Sequence, residues 1–370
     1  MGTKSIKKNF LYNLVYQVLI LILPIITTPY ISRVLGAENV GIYSFTISIV
    51  TYFTLFGSLG VSLYGQREIA YARENVGKRK KVFIEIIFFR FITMAIAMAV
   101  FILTYATHDQ YKGYYQILIL YLLAFAFDIS WFFQGMEEFK KTVLRNVIVR
   151  VASVACIFIF VKNQEDLEKY LLIYSLADLI GNISLWFYLP KYLKGIKVKH
   201  INIFKHAVPI IMLFIPQIAV KLYSIVDKTM IGYMITDKSS LGNYEEAYKV
   251  INVLFTVVSS LGIVMVPRIA SIFASGDKKK LNEYILKSFK FTFLLAFPMM
   301  LGAIAVSKEF IPIFLGEEYR DAAIITNILA PTILGMRNNK CNRNSILATN
   351  KTTEKIHTFN SSRVNCKRYT

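Results

Sequence analysis

FLYNLVYQVLILILPIITTPYISRVLGAENVGIYSFTISIVTYFTLFGSLGVSL, residues 10–63, holds two long apolar runs, 10–32 and 41–63, around a short turn with one basic residue, Arg33. Each run reaches the ~20 residues that a helix rising 1.5 Å per residue needs to cross a hydrocarbon core of about 30 Å. Further runs of this kind follow at 83–106, 114–134, 146–162, 169–189, 207–234, 247–266 and 289–307, with a stub after 321. The basic charge between them alternates. The tail 1–9 and the loops 64–82, 135–145, 190–206 and 267–290 carry 23 Lys and Arg, whereas the turns 33–40, 107–113, 162–168, 235–246 and 308–321 carry six, with Lys169 at a span edge. Basic loops stay in the cytoplasm, so the pattern predicts an all-α polytopic membrane protein with a cytoplasmic N-terminus.

Composition agrees. Apolar residues make up 55% of the 370-residue chain and the mean hydropathy is +0.48, which argues against a soluble domain. The net charge of +20 lies in loops on one side of the spans. Topology selection and anionic lipid account for it, and no nucleic-acid partner is expected. Cys156, Cys341 and Cys366 have no CxxC spacing, and His108, His200, His206 and His357 are scattered without HExxH. Neither a disulfide framework, a metal site nor a cofactor is expected. The first run follows Lys4, Lys7 and Lys8 and ends at Arg33 without a small-residue cleavage pattern, so it reads as an uncleaved helix. No loop is long enough to fold as a domain, which favours transport between helices over catalysis.

The two halves of the chain echo each other. TPYISRVLGAENVGIYSF (28–45) leads to SLG at 58–60 and REIA at 67–70; SIVDKTMIGYMITDKSSLGNYEEA (224–247) leads to SLG at 260–262 and PRIA at 267–270. Gly41 and Tyr43 match Gly242 and Tyr244 at an offset of 201. An even number of spans separates the copies, so they run in the same direction, as in transporters whose lobes are related by an axis along the membrane normal. The expected domains are an N-terminal lobe over 1–200, a C-terminal lobe over 201–336, and an aberrant polar tail over 337–370.

Ionisable groups within spans mark cavities or partners. Gln217, Lys221, Ser224 and Lys228 fall on one helical stripe with Pro209 and Pro216 above them. Asn13, Gln17, Pro24 and Thr28 form a similar stripe in the first span, ending at Arg33. The candidate cavity cations are Arg33, Arg90, Arg150, Lys221 and Lys228, and the candidate cavity polar groups are Asn13, Gln17, Gln217 and Ser224. Arg33 and Lys228, near span ends, also fit snorkelling; Arg90 fits pairing with Glu85 or a neighbouring carboxylate; Arg150 fits a topology anchor. Asp128, Asp178 and Asp227 are the intramembrane acids, candidates for ion coupling or for structural ion pairs. The SLG segments lack the Lys-Ser/Thr of a nucleotide loop and read as helix-packing positions.

Several segments together resemble the polysaccharide-biosynthesis (O-antigen and capsule repeat-unit, Wzx-type) flippases of the multidrug/oligosaccharidyl-lipid/polysaccharide exporter superfamily. They are NFLYN (9–13), ISRVLGAENVGIYSF (31–45), SLGVSLYGQREIA (58–70), WFFQGMEEFK (131–140), VDKTMIGYM (226–234), GNYEEAYKV (242–250), VMVPRIA (264–270) and FIPIFLGEEY (310–319). The resemblance covers residues 5 to about 336. It implies two six-helix lobes around a cavity that opens alternately to each side of the bacterial plasma membrane. It also implies a cargo of polyprenyl-diphosphate-linked oligosaccharide, flipped for surface polysaccharide assembly, with other polysaccharide-assembly membrane proteins as partners. An ion-coupled multidrug or small-molecule exporter and a membrane enzyme of polysaccharide assembly are the alternatives.

The apolar character stops at Met336. AAIITNILAPTILGM (322–336) is too short to span unaided, and the 34 residues after it include eight Lys/Arg and seven Asn. Codons available to KCNRNSIL (340–347) allow a reading one base along that begins NVIGIQY and continues LLPTKRQKKF, an apolar stretch closed by a basic loop. A frameshift near 336–340 is therefore expected, leaving the second lobe truncated and its transport activity in question. Sequencing the gene across codons 330–350 tests this.

Overall fold

The structure is a computed structural model that describes the backbone of residues 6–193 and 200–334, and side chains from 22 onward apart from 260–268, 270, 274 and 278. The expected tail 337–370 lies outside the described residues, as do the side chains of Asn13 and Gln17. The described chain is helical. In order come α1 (Ile6–Ser58), α2 (Val61–Tyr71), α3 (Val76–Phe101), α4 (Lys112–Ala126), α5 (Ser130–Gly135), α6 (Phe139–Phe160), α7 (Leu167–Trp186), α8 (Pro190–Leu193), α9 (Ala207–Met234), α10 (Lys238–Ala274), α11 (Lys278–Leu315) and α12 (Arg320–Leu329). Helices satisfy every backbone polar group within one segment, which is what a bilayer demands. Seven described segments are long and apolar enough to cross a membrane: Ile22–Tyr71, Val76–Ala106, Lys112–Gly135, Phe139–Phe160, Gln164–Leu193, Phe204–Met234 and Lys279–Leu315. The chain is an all-α polytopic membrane protein.

Each expected span falls on a helix, with two instructive differences. The first two spans share α1, which breaks at Gly36 (φ 76°, ψ 169°). That backbone conformation suits glycine, and it re-aims the chain where the sequence places a turn. Two side chains brace the corner: Asn39 Nδ2 donates to Leu35 O (3.0 Å) and Gln164 O (2.9 Å), and the Tyr30 hydroxyl donates to Val161 O (2.6 Å). The second difference is in α6, which begins seven residues before the expected span at 146. Arg150 therefore sits halfway along its helix, not close to an end.

The chain divides into two compact units at Glu245/Glu246. In the first, α4 lies along α7, α1 along α3, and α6 along α7, while α9 packs on α1 and α2. This packing draws α9 and the first two turns of α10 into the first unit, so the division falls later than the repeat boundary near 200. Ile31, Leu35, Phe45, Phe101, Tyr115 and Leu122 anchor one apolar cluster; Val61, Ile86, Trp131, Phe132 and Phe133 anchor another. In the second unit, α12 packs on α11 and the apolar contacts join Ile251, Val258, Ala296, Ala303 and Ile333. Ser307 Oγ donates to Asn327 Oδ1 at 2.8 Å there.

Candidate functional site

Three helices of the first unit segregate their side chains in the same way. On α6 the exposed apolar residues Leu144, Ile148, Val151 and Ile159 form one stripe, and Arg150 lies on the opposite face with the buried Ile157. On α7 the exposed stripe is Leu172, Ile180 and Ile183, and Asp178 lies opposite with the buried Leu171, Ser175, Asn182 and Leu185. On α9 the stripe is Val208, Met212, Ile215, Tyr223, Met230 and Met234, and Gln217, Lys221, Ser224 and Lys228 lie opposite. Exposed apolar stripes suit hydrocarbon. Ionised groups there would be costly; Arg150, Asp178, Lys221 and Lys228 lie on the other side, while Asp227, exposed in line with Tyr223, Met230 and Met234, accepts from the Tyr244 hydroxyl.

The inner faces bring specific pairs together. Arg150 Nη2 reaches Asp178 Oδ1 at 3.7 Å, with the guanidinium side chain 43% exposed and the carboxylate 19%. Around this pair stands a set of part-exposed tyrosines. The Tyr43 ring lies 5.0 Å from that of Tyr170 and 6.2 Å from that of Tyr174, centroid to centroid, and Tyr121 lies 5.5 Å from Tyr174. Tyr170, Tyr174 and Asp178 follow one another at four-residue steps along one face of α7. Asn182 Nδ2 donates to Ala124 O at 2.7 Å and fixes α7 against α4 beneath them.

Lys228 holds Glu245 Oε2 at 2.6 Å, and Ser44 Oγ donates to the same oxygen at 2.8 Å, so α9, α10 and α1 meet at one buried carboxylate. Thr229 Oγ1 donates to Ser48 Oγ (3.2 Å) or Tyr52 Oη (3.1 Å) one position along, and the Tyr244 hydroxyl donates to Asp227 Oδ2 at 3.1 Å. Lys238 Nζ donates to Gly232 O at 2.5 Å beneath the Phe45 ring. In the α9–α10 turn, the hydroxyl and N–H of Ser239 hold the Asp237 carboxyl below the usual carboxylate range.

The other candidates separate by environment. Lys221 is exposed on its inner stripe and makes no ion pair with the described residues. Gln217 and Ser224 turn their polar atoms back to Leu213 O (2.8 Å) and Val220 O (3.2 Å). Arg33 is exposed beside the Gly36 break. Arg90 is enclosed at 1% exposure: Nε donates to Phe125 O at 2.8 Å, Nη1 to Ser62 Oγ at 3.4 Å, and Nη2 faces Asp128 Oδ2 at 3.6 Å. Of the carboxylates considered for Arg90, Asp128 is the one beside it. Asp128 Oδ1 also accepts from Ser130 N at 2.8 Å and so shapes the α4–α5 elbow.

Glu85 pairs elsewhere, in a network the sequence did not disclose. It is fully buried, and its Oε2 receives Lys205 Nζ (2.7 Å) and His206 Nε2 (3.0 Å), while Oε1 accepts from Asn202 N (2.9 Å). The Tyr64 hydroxyl lies 2.7 Å from His206 Nδ1. A carboxylate only accepts, so Nε2 carries the proton toward Glu85 and a neutral ring takes the Tyr64 proton at Nδ1. The network ties the entry to α9 onto α2 and α3. Glu85 and His206 stand 121 residues apart, so only a run of apolar sequence around Glu85 hinted at its burial.

A family model described as polysaccharide biosynthesis protein matches residues 6–273, and one described as MatE matches 209–355. A protein of Escherichia coli (strain K12) named "Putative O-antigen transporter" is 26% identical over 339 residues, covering 88% of this chain and 80% of its own length. One of the same name from Shigella dysenteriae is 24% identical over 320 residues, covering 85% and 78%. The fold matches that of a multidrug resistance MATE family transporter of the MOP superfamily, solved in an inward-facing conformation, with a TM-score of 0.65 at 12% identity over 93% of this chain and 82% of that one. With the family model spanning well over half of its residues, the chain belongs to the polysaccharide biosynthesis protein family.

Proposed function

We propose that the chain moves polyprenyl-diphosphate-linked oligosaccharide units from the inner to the outer leaflet of the bacterial plasma membrane, by alternating access, as a transporter and not an enzyme. The observation that carries this reading is the segregation on α6, α7 and α9: Arg150, Asp178, Lys221 and Lys228 lie opposite the exposed apolar stripes. A lipid diphosphate is the part of the cargo that most resists hydrocarbon. Cations on an interior face replace its lost hydration, Arg through a bidentate fork and Lys as a point charge. Lys221 is assigned to the diphosphate, with Arg150, Lys228 and Arg33 along its route. Arg90 is assigned to holding α3 on α4, because its donors are already engaged and it is enclosed. Asp178 is retained as the acid best placed to couple transport to an ion gradient, since its partner Arg150 is part-exposed. The N-terminus is placed in the cytoplasm by loop charge, and the two lobes by the internal repeat.

The test is restoration of surface polysaccharide in a host that lacks its own repeat-unit flippase. Restoration by the chain as written supports the reading. Stable insertion without restoration, in the strain whose polysaccharide this chain naturally serves, would count against it.

A further inference from the structure

We infer that the open groove along the first half of α11 is a binding site for one anionic phospholipid, with an acyl chain against its phenylalanines and the phosphate on Lys290. The inference needs only that the chain is a membrane protein and is independent of the cargo it moves.

α11 has 38 residues, about 57 Å of helix, and so outruns a hydrocarbon core of about 30 Å. Apart from Lys308, its lysines gather at its start, from Lys278 to Lys290. One face buries Ser288, Thr292, Ala296 and Ala303, and there Ala296 and Ala303 join Ile251, Val258 and Ile333. Another face carries a groove of about 590 Å³ that runs from Leu286 to Pro298. Phe289, Phe293, Leu294 and Phe297 wall it, at spacings that put them on one side of a helix. The rings of Phe293 and Phe297 lie 5.9 Å apart and tilted by 36°. A flat apolar stripe meets lipid only in passing, whereas a groove of this size is in the range of small-ligand sites. Its length, twelve residues or about 18 Å, is close to the depth of one leaflet, half of the ~30 Å core. An acyl chain entering from that leaflet fits these dimensions; a transmembrane helix, at about 10–12 Å across, needs a wider trough through both leaflets. The one charged residue in the lining is Lys290. It is exposed and meets no carboxylate among the described residues, whereas its neighbour Lys287 is held by Glu283 at 2.7 Å. Side chains lean toward the N-terminus of their helix, so the Lys290 ammonium reaches toward the basic end of α11, where headgroups lie. A phosphate diester gains a point-charge partner there. A net-negative headgroup is favoured over a zwitterionic one, whose own ammonium competes with Lys290.

The experiment uses the full-length protein in vesicles of mixed phosphatidylglycerol and phosphatidylethanolamine, one or the other brominated on its acyl chain to quench tryptophan fluorescence. Phe293→Trp puts a reporter in the groove. Ile96→Trp puts one at an exposed position in an apolar run of α3, away from the groove. The buried Trp131 and the native Trp186 give a background that the unsubstituted protein measures. The ratio of quenching by the two brominated lipids cancels the effect of depth at each reporter. Phe293→Trp is expected to prefer phosphatidylglycerol about fivefold over Ile96→Trp, the effect of one cation at an anionic surface. Lys290→Gln added to Phe293→Trp should abolish the preference, and Lys279→Gln, which is basic-loop charge outside the groove, should keep it. Size-exclusion profiles identify a variant that fails to fold, and Phe297→Trp then serves in place of Phe293→Trp. Equal ratios at the two reporters, or a preference that survives Lys290→Gln, would overturn the site and leave ordinary bilayer contact. A preference lost equally in Lys279→Gln would overturn it in favour of general surface charge. Quenching of Ile96→Trp but not of Phe293→Trp by either lipid would also overturn it, because protein, such as a second copy of the chain, then covers the groove.

Discussion

Gly41 and Gly242 pack reciprocally: a methyl group on Gly41 would overlap the carbonyl oxygen of Lys238, and one on Gly242 the carbonyl oxygen of Ala37. The offset of 201 that relates the glycines also relates Ala37 to Lys238, and Ser44 to the Glu245 it hydrogen-bonds. When residue i meets j′ and i′ meets j, the contact is self-complementary in the manner of a two-fold interface. The internal repeat thus has a physical counterpart, a local two-fold crossing of the second half of α1 with the start of α10. Small residues let such helices approach to backbone contact, which in a bilayer is the main source of helix–helix attraction.

Alanine at either glycine therefore has to push a backbone carbonyl aside, not a rotatable side chain. Overpacking of this kind costs about 1–3 kcal/mol. Gly41→Ala and Gly242→Ala should each lower the denaturation temperature in detergent. The double variant should lose less than the sum, because both serve one crossing. Gly302→Ala, where nothing lies within 4 Å, should be unchanged or more stable. Equal behaviour of all three would mean the close crossing is absent from the native protein.

The same crossing is held by charge. Lys228 and Glu245, 18% and 8% exposed, share Ser44 as a third partner. Removing one member of a buried pair strands the other, at about 3–5 kcal/mol, whereas replacing both by apolar groups of similar size is often neutral. Lys228→Ala should accordingly be much less stable than the Lys228→Met/Glu245→Leu double variant. Thermal denaturation read by fluorescence-detected size exclusion separates them. A double variant as unstable as the single would show that the pair's role is not electrostatic.

The spans were legible because each apolar run exceeds the bilayer's requirement, and the Gly36 corner because a short polar stretch interrupts one. The repeat was legible too, as matched residues; that its glycines touch was not, since a sequence offset carries no information on contact. Side-chain partners were the least legible. Arg90, Asp128, Arg150 and Asp178 each stood out as ionisable groups in apolar runs, yet which acid met which base depended on how α3, α4, α6 and α7 dock. Lys and Arg at 140–145 read as a loop, which hid the start of α6 at Phe139. Tyr43, Tyr121, Tyr170 and Tyr174, which meet in the structure, were lost among the chain's 23 tyrosines, having no periodicity of their own across three helices.

The network at the root of α9 makes a local prediction. Asn202 gives its amide proton to Glu85, which Lys205 and His206 also hold, and Tyr64 orients the imidazole. Tyr64→Phe leaves a buried ring nitrogen unsatisfied, at about 1–3 kcal/mol. Hydrogen exchange at Asn202 should then accelerate roughly tenfold, with helices outside this corner unaffected. Glu85→Ala should accelerate it further, since the acceptor itself is gone. Unchanged exchange in both variants would mean that the amide is protected by something other than this carboxylate.

Lys221 and Arg90 offer the sharpest contrast between a group that meets cargo and a group that holds the scaffold. Both are cations within apolar helices, and the sequence makes both candidates for the cavity. Lys221 is exposed on an inner face, so its loss should spare the fold and remove a charge-assisted contact to the diphosphate, about 1.5–3 kcal/mol or a tenfold to hundredfold drop in translocation. Lys221→Arg should restore most of it, because charge and not shape is what a point contact needs. Arg90 donates to Phe125 O and faces Asp128 from within the core, so Arg90→Ala should reduce the amount of protein in the membrane before transport is measured. Arg90→Lys should not rescue, since an ammonium cannot reproduce the fork that spans Phe125, Ser62 and Asp128. Immunoblotting of membranes alongside polysaccharide restoration reads both effects. Normal abundance with lost transport for Arg90→Ala would move that residue from the scaffold to the cargo path.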